Sequence, residues 1–178
     1  MKNVWEILNK NFVNKGLQIF PVVENGKTPL IQEWQKDCSS NFMQILYWSE
    51  HAKNCNWGLP ATPNNLFIID LDVHDSNKNG VENFDKLLAE IGLDKVETLK
   101  QTTPSGGVHL IFQSNDLLKG VSNNSNVFEN YPGIDIRTDG YIVVEPSQIN
   151  GVPYKFETTL PPMPMPRSPA VQTCSAGV

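Results

Sequence analysis

NLFIIDLDVH, residues 65–74, combines the pattern of a buried strand with two acidic residues. Leu66–Ile69 is an apolar run that follows turn-forming residues, and this arrangement predicts a strand. Asp70 and Asp72 are two residues apart, so in an extended strand their side chains project from the same face. Two carboxylates held this close repel each other unless a positive charge lies between them.

A hard divalent cation such as Mg²⁺ or Mn²⁺ is the simplest partner for this acidic pair, because these ions prefer oxygen ligands. The alternative is a strand that ends in an acidic loop and holds no metal. This stretch alone favours neither interpretation.

Composition indicates a single folded domain. The chain has 178 residues, 39% of them hydrophobic and 19% charged, which is ordinary for a globular protein. No apolar run approaches the roughly 20 residues of a membrane span, and the N-terminus lacks a signal-peptide core. We therefore expect a cytoplasmic protein with no membrane association. From residue 159 the chain becomes proline-rich, which predicts a folded domain at 1–158 and a disordered tail or linker at 159–178.

Charge argues against a dedicated nucleic-acid binder, because such proteins are usually basic. The net charge is −5, and the only arginines are Arg137 and Arg167. Any contact with a polynucleotide must therefore come from local patches and be sensitive to salt. The three cysteines form no CxxC spacing and are expected to be free thiols.

The order of predicted elements indicates a mixed fold. Helical periodicity predicts helices at 4–13, 41–51 and 80–91, the second of them capped by Ser39 or Ser40. Strands are predicted at 17–23, 66–72, 98–103, 108–113, 134–137, 141–145 and 152–157, with loops at 75–79 and 116–129. Helices and strands alternate irregularly, so the class is α+β and not a regular doubly wound fold.

Three further sites carry candidate functional groups: His109, the pair of Asp135 and Arg137, and Lys27. His109 follows Ser105, Gly106 and Gly107, and a glycine turn with free N–H groups can bind phosphate. Asp135 and Arg137 lie two apart on a predicted strand and should share a face. Lys27 follows a turn. The alternatives are a structural histidine, a surface ion pair and a solvated lysine.

Taken together, these groups match the needs of nucleotidyl transfer. Three carboxylates (Asp70, Asp72 and Asp135) can hold two divalent ions, and three basic groups (Lys27, His109 and Arg137) can hold triphosphate oxygens. Metal ions in such enzymes activate a hydroxyl and neutralise charge on the phosphates, while the protein positions the reactants.

The ordered motifs resemble those of the bifunctional primase–polymerase family of plasmids, phages and other mobile elements, within the archaeo-eukaryotic primase superfamily. They are an acidic pair in IDLDVH, a small-residue turn and histidine in TPSGGVHLIF, and a later single aspartate in GIDIRTDGYIVVEPS, followed by YKFE. The segment NWGLPA before the acidic strand is also similar. The resemblance covers about residues 5–157.

The resemblance implies an RRM-like sheet with flanking helices and a smaller N-terminal α/β part. It implies synthesis or extension of primers on single-stranded DNA from nucleoside triphosphates. Asp70, Asp72 and Asp135 would be the catalytic, metal-binding carboxylates, and His109 would contact phosphates in a pocket shaped by Ser105, Gly106 and Gly107. Arg137 and Lys27 are added to this set as phosphate-binding or structural partners. A replicative helicase, as a further domain or a separate protein, is a candidate partner.

Two alternatives remain from the sequence. One is a catalytically idle replication-initiator domain that binds DNA or nucleotide, against which the complete set of acids argues. The other is a metal-dependent nuclease, against which the small number of histidines argues (His51, His74 and His109). His74 is a candidate extra ligand. Tyr141 and Phe112 are candidates for a residue that selects between ribose and deoxyribose.

Overall fold

The secondary structure is mixed, as the sequence predicts. The computed structural model describes residues 4–75, 78–115 and 128–165, together with Leu118 and Val121. Its α-helices are α1 (Val4–Asn11), α2 (Trp34–Asp37), α3 (Phe42–His51) and α4 (Gly80–Glu90). Two short 3₁₀ helices follow α1 and precede β3, at Val13–Lys15 and Thr62–Asn64.

The strands form two main sheets and two small ribbons within the described residues. In chain order they are β1 (Phe20–Val22), β2 (Asn56–Pro60), β3 (Leu66–Leu71), β4 (Val73–Asp75), β5 (Lys78–Asn79), β6 (Leu99–Thr102), β7 (Val108–Gln113), β8 (Ile134–Arg137), β9 (Tyr141–Val144), β10 (Gln148–Ile149), β11 (Val152–Pro153), β12 (Lys155–Phe156) and β13 (Met163–Pro164). The larger sheet has the order β12-β6-β7-β3-β8, and β13 pairs with β7 in parallel. The smaller sheet has the order β1-β2-β9.

Alternation along β3 divides the apolar core into two layers. Leu66 and Ile68 pack with residues of α1, α3 and the smaller sheet. Phe67, Ile69 and Leu71 pack on the opposite face with α4. Because successive side chains of a strand point to opposite faces, the larger sheet is covered on both sides. Asp70 has the same parity as Leu66 and Ile68, so it lies on the face toward the smaller sheet.

Several predicted elements are confirmed with shifted ends. The first helix ends sooner, and Gly16 closes the following 3₁₀ turn at a φ of 68°. The second predicted helix corresponds to α3. It is capped by Asn41, whose side chain accepts hydrogen bonds from the backbone N–H groups of Met43 and Gln44. The predicted cap at Ser39 or Ser40 is therefore wrong. Asn41 is the cap because its side-chain oxygen reaches two of the free N–H groups of the first turn.

The middle strand of the smaller sheet, β2, is not predicted. β2 contains Gly58 and Pro60, which disfavour a strand on propensity alone. Gly58 is nevertheless required, because a Cβ there would lie 2.4 Å from the ring of Phe20 on the neighbouring strand. The predicted loop at 75–79 instead contains part of the β4-β5 ribbon.

The C-terminal part of the described chain also differs from the prediction. The strand predicted at 152–157 divides at Tyr154 into β11, which pairs with β10, and β12, which pairs with β6. Met163 and Pro164 pair with β7, although the proline-rich composition predicts disorder there. The loop predicted at 116–129 lies largely outside the described residues.

No helix in the described ranges combines the length and apolar character needed to cross a membrane.

Candidate active site

Four polar side chains form a row across neighbouring strands of the larger sheet. Gln101 pairs with His109, His109 with Asp70, and Asp70 with Asp135. Residues directly opposite in adjacent strands present their side chains on the same face. All four are buried, with exposed fractions of 0% for Gln101, 5% for His109, 8% for Asp70 and 7% for Asp135.

The row lies where the apolar core between the two sheets ends. Along β3 the buried Leu66 and Ile68 give way to Asp70. Along β7 the buried Ile111 gives way to His109, and along β6 Leu99 gives way to Gln101. Each strand therefore changes from apolar to polar on one face at the same level. The apolar residues hold the polar groups in register.

Arg137 bridges the two buried carboxylates. Its Nε and Nη2 each donate to Oδ2 of Asp70 at 3.1 Å, and Nη2 also donates to Oδ2 of Asp135 at 3.3 Å. Buried carboxylates on neighbouring strands would otherwise repel each other in a medium of low dielectric constant. The guanidinium supplies the positive charge that this pair requires.

The ionisation of Asp70 is set by opposing effects. Burial favours the neutral acid, but the interactions of Asp70 with His109 and then with Arg137 outweigh burial, so the pKa of Asp70 lies below its ordinary value. Nε2 of His109 lies 3.4 Å from Oδ1 of Asp70. Asp70 is therefore a carboxylate at neutral pH and can act as an anionic ligand.

A pocket of about 310 Å³ opens beside this row. This volume is at the lower end of the range for small-molecule sites. Lys27, Arg137 and His109 line it with nitrogen groups, and Trp34 and Tyr141 line it with aromatic rings. The hydroxyl of Tyr141 donates to the backbone carbonyl of Lys27 at 2.6 Å. This bond holds the turn that carries Lys27 against β9.

Tyr154 is a further pocket residue that the sequence did not indicate. It is 2% exposed, and its ring lies nearly parallel to that of His109, with centroids 6.1 Å apart. Burial and the negative charges of Asp70 and Asp72 raise the pKa of Tyr154 to about 12. Tyr154 is therefore a neutral phenol at physiological pH.

Asp72 follows the end of β3 and is held by its backbone. Its N–H donates to the carbonyl of Gly133 at 2.8 Å, and its carbonyl accepts from the N–H of Gly80 at 2.8 Å. The two glycines approach so closely that a Cβ on Gly80 would lie 2.1 Å from the carbonyl oxygen of Gly133. Side chains at these positions would push apart the segments that place Asp72.

The structure brings most of the predicted site residues together. Asp70, His109 and Arg137 line the pocket with Lys27, and Asp135 is next to them in the sheet. Asp72 is half-buried and lies beyond the last residue of β3, so it is not a second position on one regular strand. The charges of Asp70 and Asp72 both act on Tyr154.

The predicted glycine turn lies next to the site but does not line this pocket. Gly106 donates to the carbonyl of Thr103, and the hydroxyls of Thr103 and Ser105 are 3.1 Å apart. A Cβ on Gly107 would lie 2.5 Å from the carbonyl of Leu71, so the turn packs against the end of β3. The roles of Ser105, Gly106 and Gly107 in binding stay predictions.

The two residues predicted to select between ribose and deoxyribose lie in different environments. Tyr141 lines the pocket. Phe112 is fully buried in the core on the α4 side of the sheet, so it does not meet a ligand in this pocket. The prediction for Phe112 is wrong, because its position on β7 has the parity opposite to that of His109. The side chain of His74 lies outside the described part of the chain.

The acidic groups fit a hard cation in donor type. Asp70 and Asp135 supply carboxylate oxygens from facing positions, and Asp72 follows closely in the chain. Such oxygen donors suit Mg²⁺ or Mn²⁺. Among the described residues no group of three or more histidine, cysteine or acidic side chains is arranged to hold a metal ion. The charge between Asp70 and Asp135 is instead balanced by Arg137, which a cation would have to displace.

Fold and site together define an α+β protein with a buried acidic row and a basic pocket between two sheets. The model of the family described as bifunctional DNA primase/polymerase, N-terminal, matches residues 9–168. The chain belongs to this family, which confirms the resemblance seen in its motifs. Its function is thus of the DNA primase/polymerase type, with DNA and nucleotides as the substrates that the family implies. A comparison with curated proteins gave no match.

The glycine contact beside Asp72 predicts a large loss of stability on a small substitution. Gly80→Ala should lower the free energy of unfolding by about 2 kcal/mol or more, because the methyl group meets backbone atoms that cannot move independently. Gly26→Ala is the matched control, since its nearest neighbours would be 3.7 Å away. Urea unfolding measures both. Equal effects of the two substitutions would contradict the close contact.

The raised pKa of Tyr154 predicts a loss of stability in alkali. Below pH 10 both folded and unfolded chains keep the phenol proton, so its contribution is complete. Between about pH 10 and 12 only the unfolded chain ionises, and the contribution falls by roughly 2–3 kcal/mol. Urea unfolding of wild type and Tyr154→Phe across this interval isolates the effect, since other titrations cancel. A pH-independent difference between the two proteins would refute it.

Proposed function

We propose that this domain is a template-directed nucleotidyltransferase that makes or extends primers on single-stranded DNA from nucleoside triphosphates. The observation that carries the proposal is the buried row of Asp135, Asp70 and His109 beside Arg137, next to a pocket that Lys27 also lines. Anionic ligands for cations thus adjoin groups that bind phosphate. Family membership supports the same class of reaction.

Asp70, Asp72 and Asp135 would hold Mg²⁺ or Mn²⁺ in this proposal. When bound, the ions supply activation of the primer 3′-hydroxyl and neutralisation of charge on the α-phosphate and pyrophosphate. The lowered pKa of Asp70 supports its role, because a ligand that is already ionised loses no proton on binding.

The basic residues would bind the triphosphate. Lys27 is exposed at the rim and approaches as a mobile point charge. Arg137 presents a planar fork of donors suited to phosphate oxygens. Once cations balance Asp70 and Asp135, the guanidinium becomes available to the substrate. His109 donates from its ring to a phosphate oxygen, and the turn of Ser105, Gly106 and Gly107 supports the start of its strand.

The setting proposed is replication of a plasmid, phage or other mobile element, in the cytoplasm and together with a replicative helicase. The motif resemblance supports this setting. The acidic net charge of −5 supports the need for a partner, since it opposes tight binding of the template by this domain alone.

Primer synthesis on single-stranded DNA with labelled nucleotides and Mg²⁺ or Mn²⁺ tests the proposal. Asp70→Asn and Asp135→Asn should each lower the rate of product formation by about a hundredfold or more, because each removes a charge that the transition state requires. The matched control is Asp94→Asn, which changes an exposed acid outside the site and should leave the rate unchanged.

Each outcome of this assay separates the alternatives. Product that depends on metal and on both acids supports nucleotidyl transfer. Wild-type protein that binds nucleotide and DNA but makes no product with its partner helicase present would instead support the idle initiator domain. Full activity of Asp70→Asn would show that the site is assigned wrongly.

Charge balance at Arg137 gives a second prediction, with stability as its readout. Arg137→Gln leaves two buried carboxylates facing each other, so the free energy of unfolding should fall by about 3 kcal/mol in chelator. Mn²⁺ should restore more stability to this variant than it adds to wild type, because no guanidinium competes for the carboxylates. Urea unfolding with and without Mn²⁺ measures both effects.

An ion pair outside the pocket is the control. Lys100 and Glu157 are 3.1 Å apart and each about 40% exposed, so Lys100→Gln should cost at most about 1 kcal/mol. Its response to Mn²⁺ should equal that of wild type. If Mn²⁺ stabilised all three proteins equally, or none of them, Asp70 and Asp135 would not share a cation site.

A further inference from the structure

Gln101 is a buried polar side chain that no motif indicates. It lies on β6, next to His109 in the polar row, and is fully buried. Its Oε1 accepts from the backbone N–H of Glu145 at 2.8 Å. Its Nε2 donates to the backbone carbonyl of Val143 at 2.9 Å and to Nδ1 of His109 at 2.9 Å. Both ends of the amide are thus engaged.

The two backbone partners determine which way this amide faces. The N–H of Glu145 can only donate, so it requires the amide oxygen. The carbonyl of Val143 can only accept, so it requires the amide nitrogen. The nitrogen of Gln101 therefore faces His109. The amide cannot be reversed without leaving both backbone groups without partners, at a site closed to water.

The orientation of the amide determines where His109 carries its proton. An N–H that donates to Nδ1 needs a lone pair there, so a neutral His109 ring must have its proton on Nε2. Nε2 is the atom that lies 3.4 Å from Asp70. The ring of His109 is buried, and the ring of Tyr154 lies nearly parallel to it. The donor of His109 thus points toward the carboxylate row.

We propose that Gln101 is a positioning residue that holds His109 in the Nε2–H tautomer and so presents a hydrogen-bond donor to the phosphates of the incoming nucleotide. The phosphate contact rests on the function proposed above. The tautomer itself rests only on the contacts of Gln101. A histidine without this amide would be free to move its proton to Nδ1 and would then offer the substrate a lone pair, which repels phosphate oxygens.

The amide also connects the two sheets. Gln101 belongs to the larger sheet, whereas Val143 belongs to β9 of the smaller one and lines the pocket. A purely structural role would therefore be to hold the two walls of the pocket together. Such a role changes stability on substitution but does not fix the proton of His109, so the experiment must report on the ring itself.

Nitrogen-15 NMR of the histidine rings in the full chain makes this distinction, because it reports which ring nitrogen of the neutral form carries the proton. Wild-type His109 should show a protonated Nε2 and an unprotonated Nδ1. His51 is the internal reference of opposite type, because its Nδ1 lies 2.8 Å from the carbonyl of Tyr47 and must donate. His109→Ala and His74→Ala assign the signals. A protonated Nδ1 on wild-type His109 would overturn the proposal without any variant of Gln101.

Two substitutions then test the dependence on Gln101. Gln101→Glu keeps the acceptor for Glu145 but replaces the donor with an acceptor, so the proton of His109 should move to Nδ1. Gln101→Met removes both functions, and His109 should show a mixture of tautomers. In both variants the KM for nucleotide should rise about tenfold, while the Kd for single-stranded template stays within about twofold. Unchanged His109 signals in folded variants would contradict the proposal.

These readouts separate failure of the inference from failure of the proposed function. The tautomer is measured without turnover, so a protein that makes no primers still confirms or refutes the role of Gln101 in holding the ring. Conversely, active protein with an unaltered KM in Gln101→Met would refute the positioning role and leave nucleotidyl transfer intact. If the Gln101 variants were less stable than wild type but kept its His109 tautomer and its KM for nucleotide, the role of Gln101 would be only to connect the two sheets.

Discussion

The bridge from Arg137 to Asp70 and Asp135 is the interaction on which the site depends. Two carboxylates with exposed fractions of 8% and 7% on facing strands are costly to bury unless a cation is present. The same chain supplies that cation two residues after Asp135, on the same face of β8. Arg137 therefore already balances charge on the two carboxylates in the folded chain. A cation that arrives from solvent or with a substrate would have to compete with this guanidinium.

The strand register determines which polar side chains lie next to one another in the larger sheet. Asp70 stands opposite both His109 and Asp135, and His109 stands opposite Gln101, so the polar row exists only while four strands keep one alignment. A slip of one residue would turn Asp70 into the α4 core. The apolar residues two positions away on β3, β6 and β7 oppose such a slip, because they fill the core between the sheets. The packing of these apolar residues thus fixes the strand register, and the register places the polar side chains next to one another.

The sequence predicts the parts of this site that are local. Strands β3, β7 and β8 follow from short patterns, and Asp70, His109 and Asp135 follow from motifs within them. It does not predict β2, because Gly58 disfavours a strand on propensity alone. The contact of Gly58 with the ring of Phe20, which explains the glycine, is seen only in the structure. It also misplaces Asp72 on a regular strand, because the contact of Gly80 and Gly133 that ends β3 joins segments about fifty residues apart. Contacts between distant segments leave no periodic signal.

Gln101 shows why the second layer of a site escapes sequence reasoning while still deciding its chemistry. Its residue type is unremarkable on a strand, and its three partners come from β7 and from the chain around β9. Yet a donor at Nδ1 of His109 leaves the proton of a neutral ring on Nε2, the atom that lies 3.4 Å from Asp70. Arg137 bridges Asp70 and Asp135, so these two carboxylates share the charge of one guanidinium. The amide that orients His109 and the guanidinium that pairs with the two acids are thus two parts of one polar arrangement.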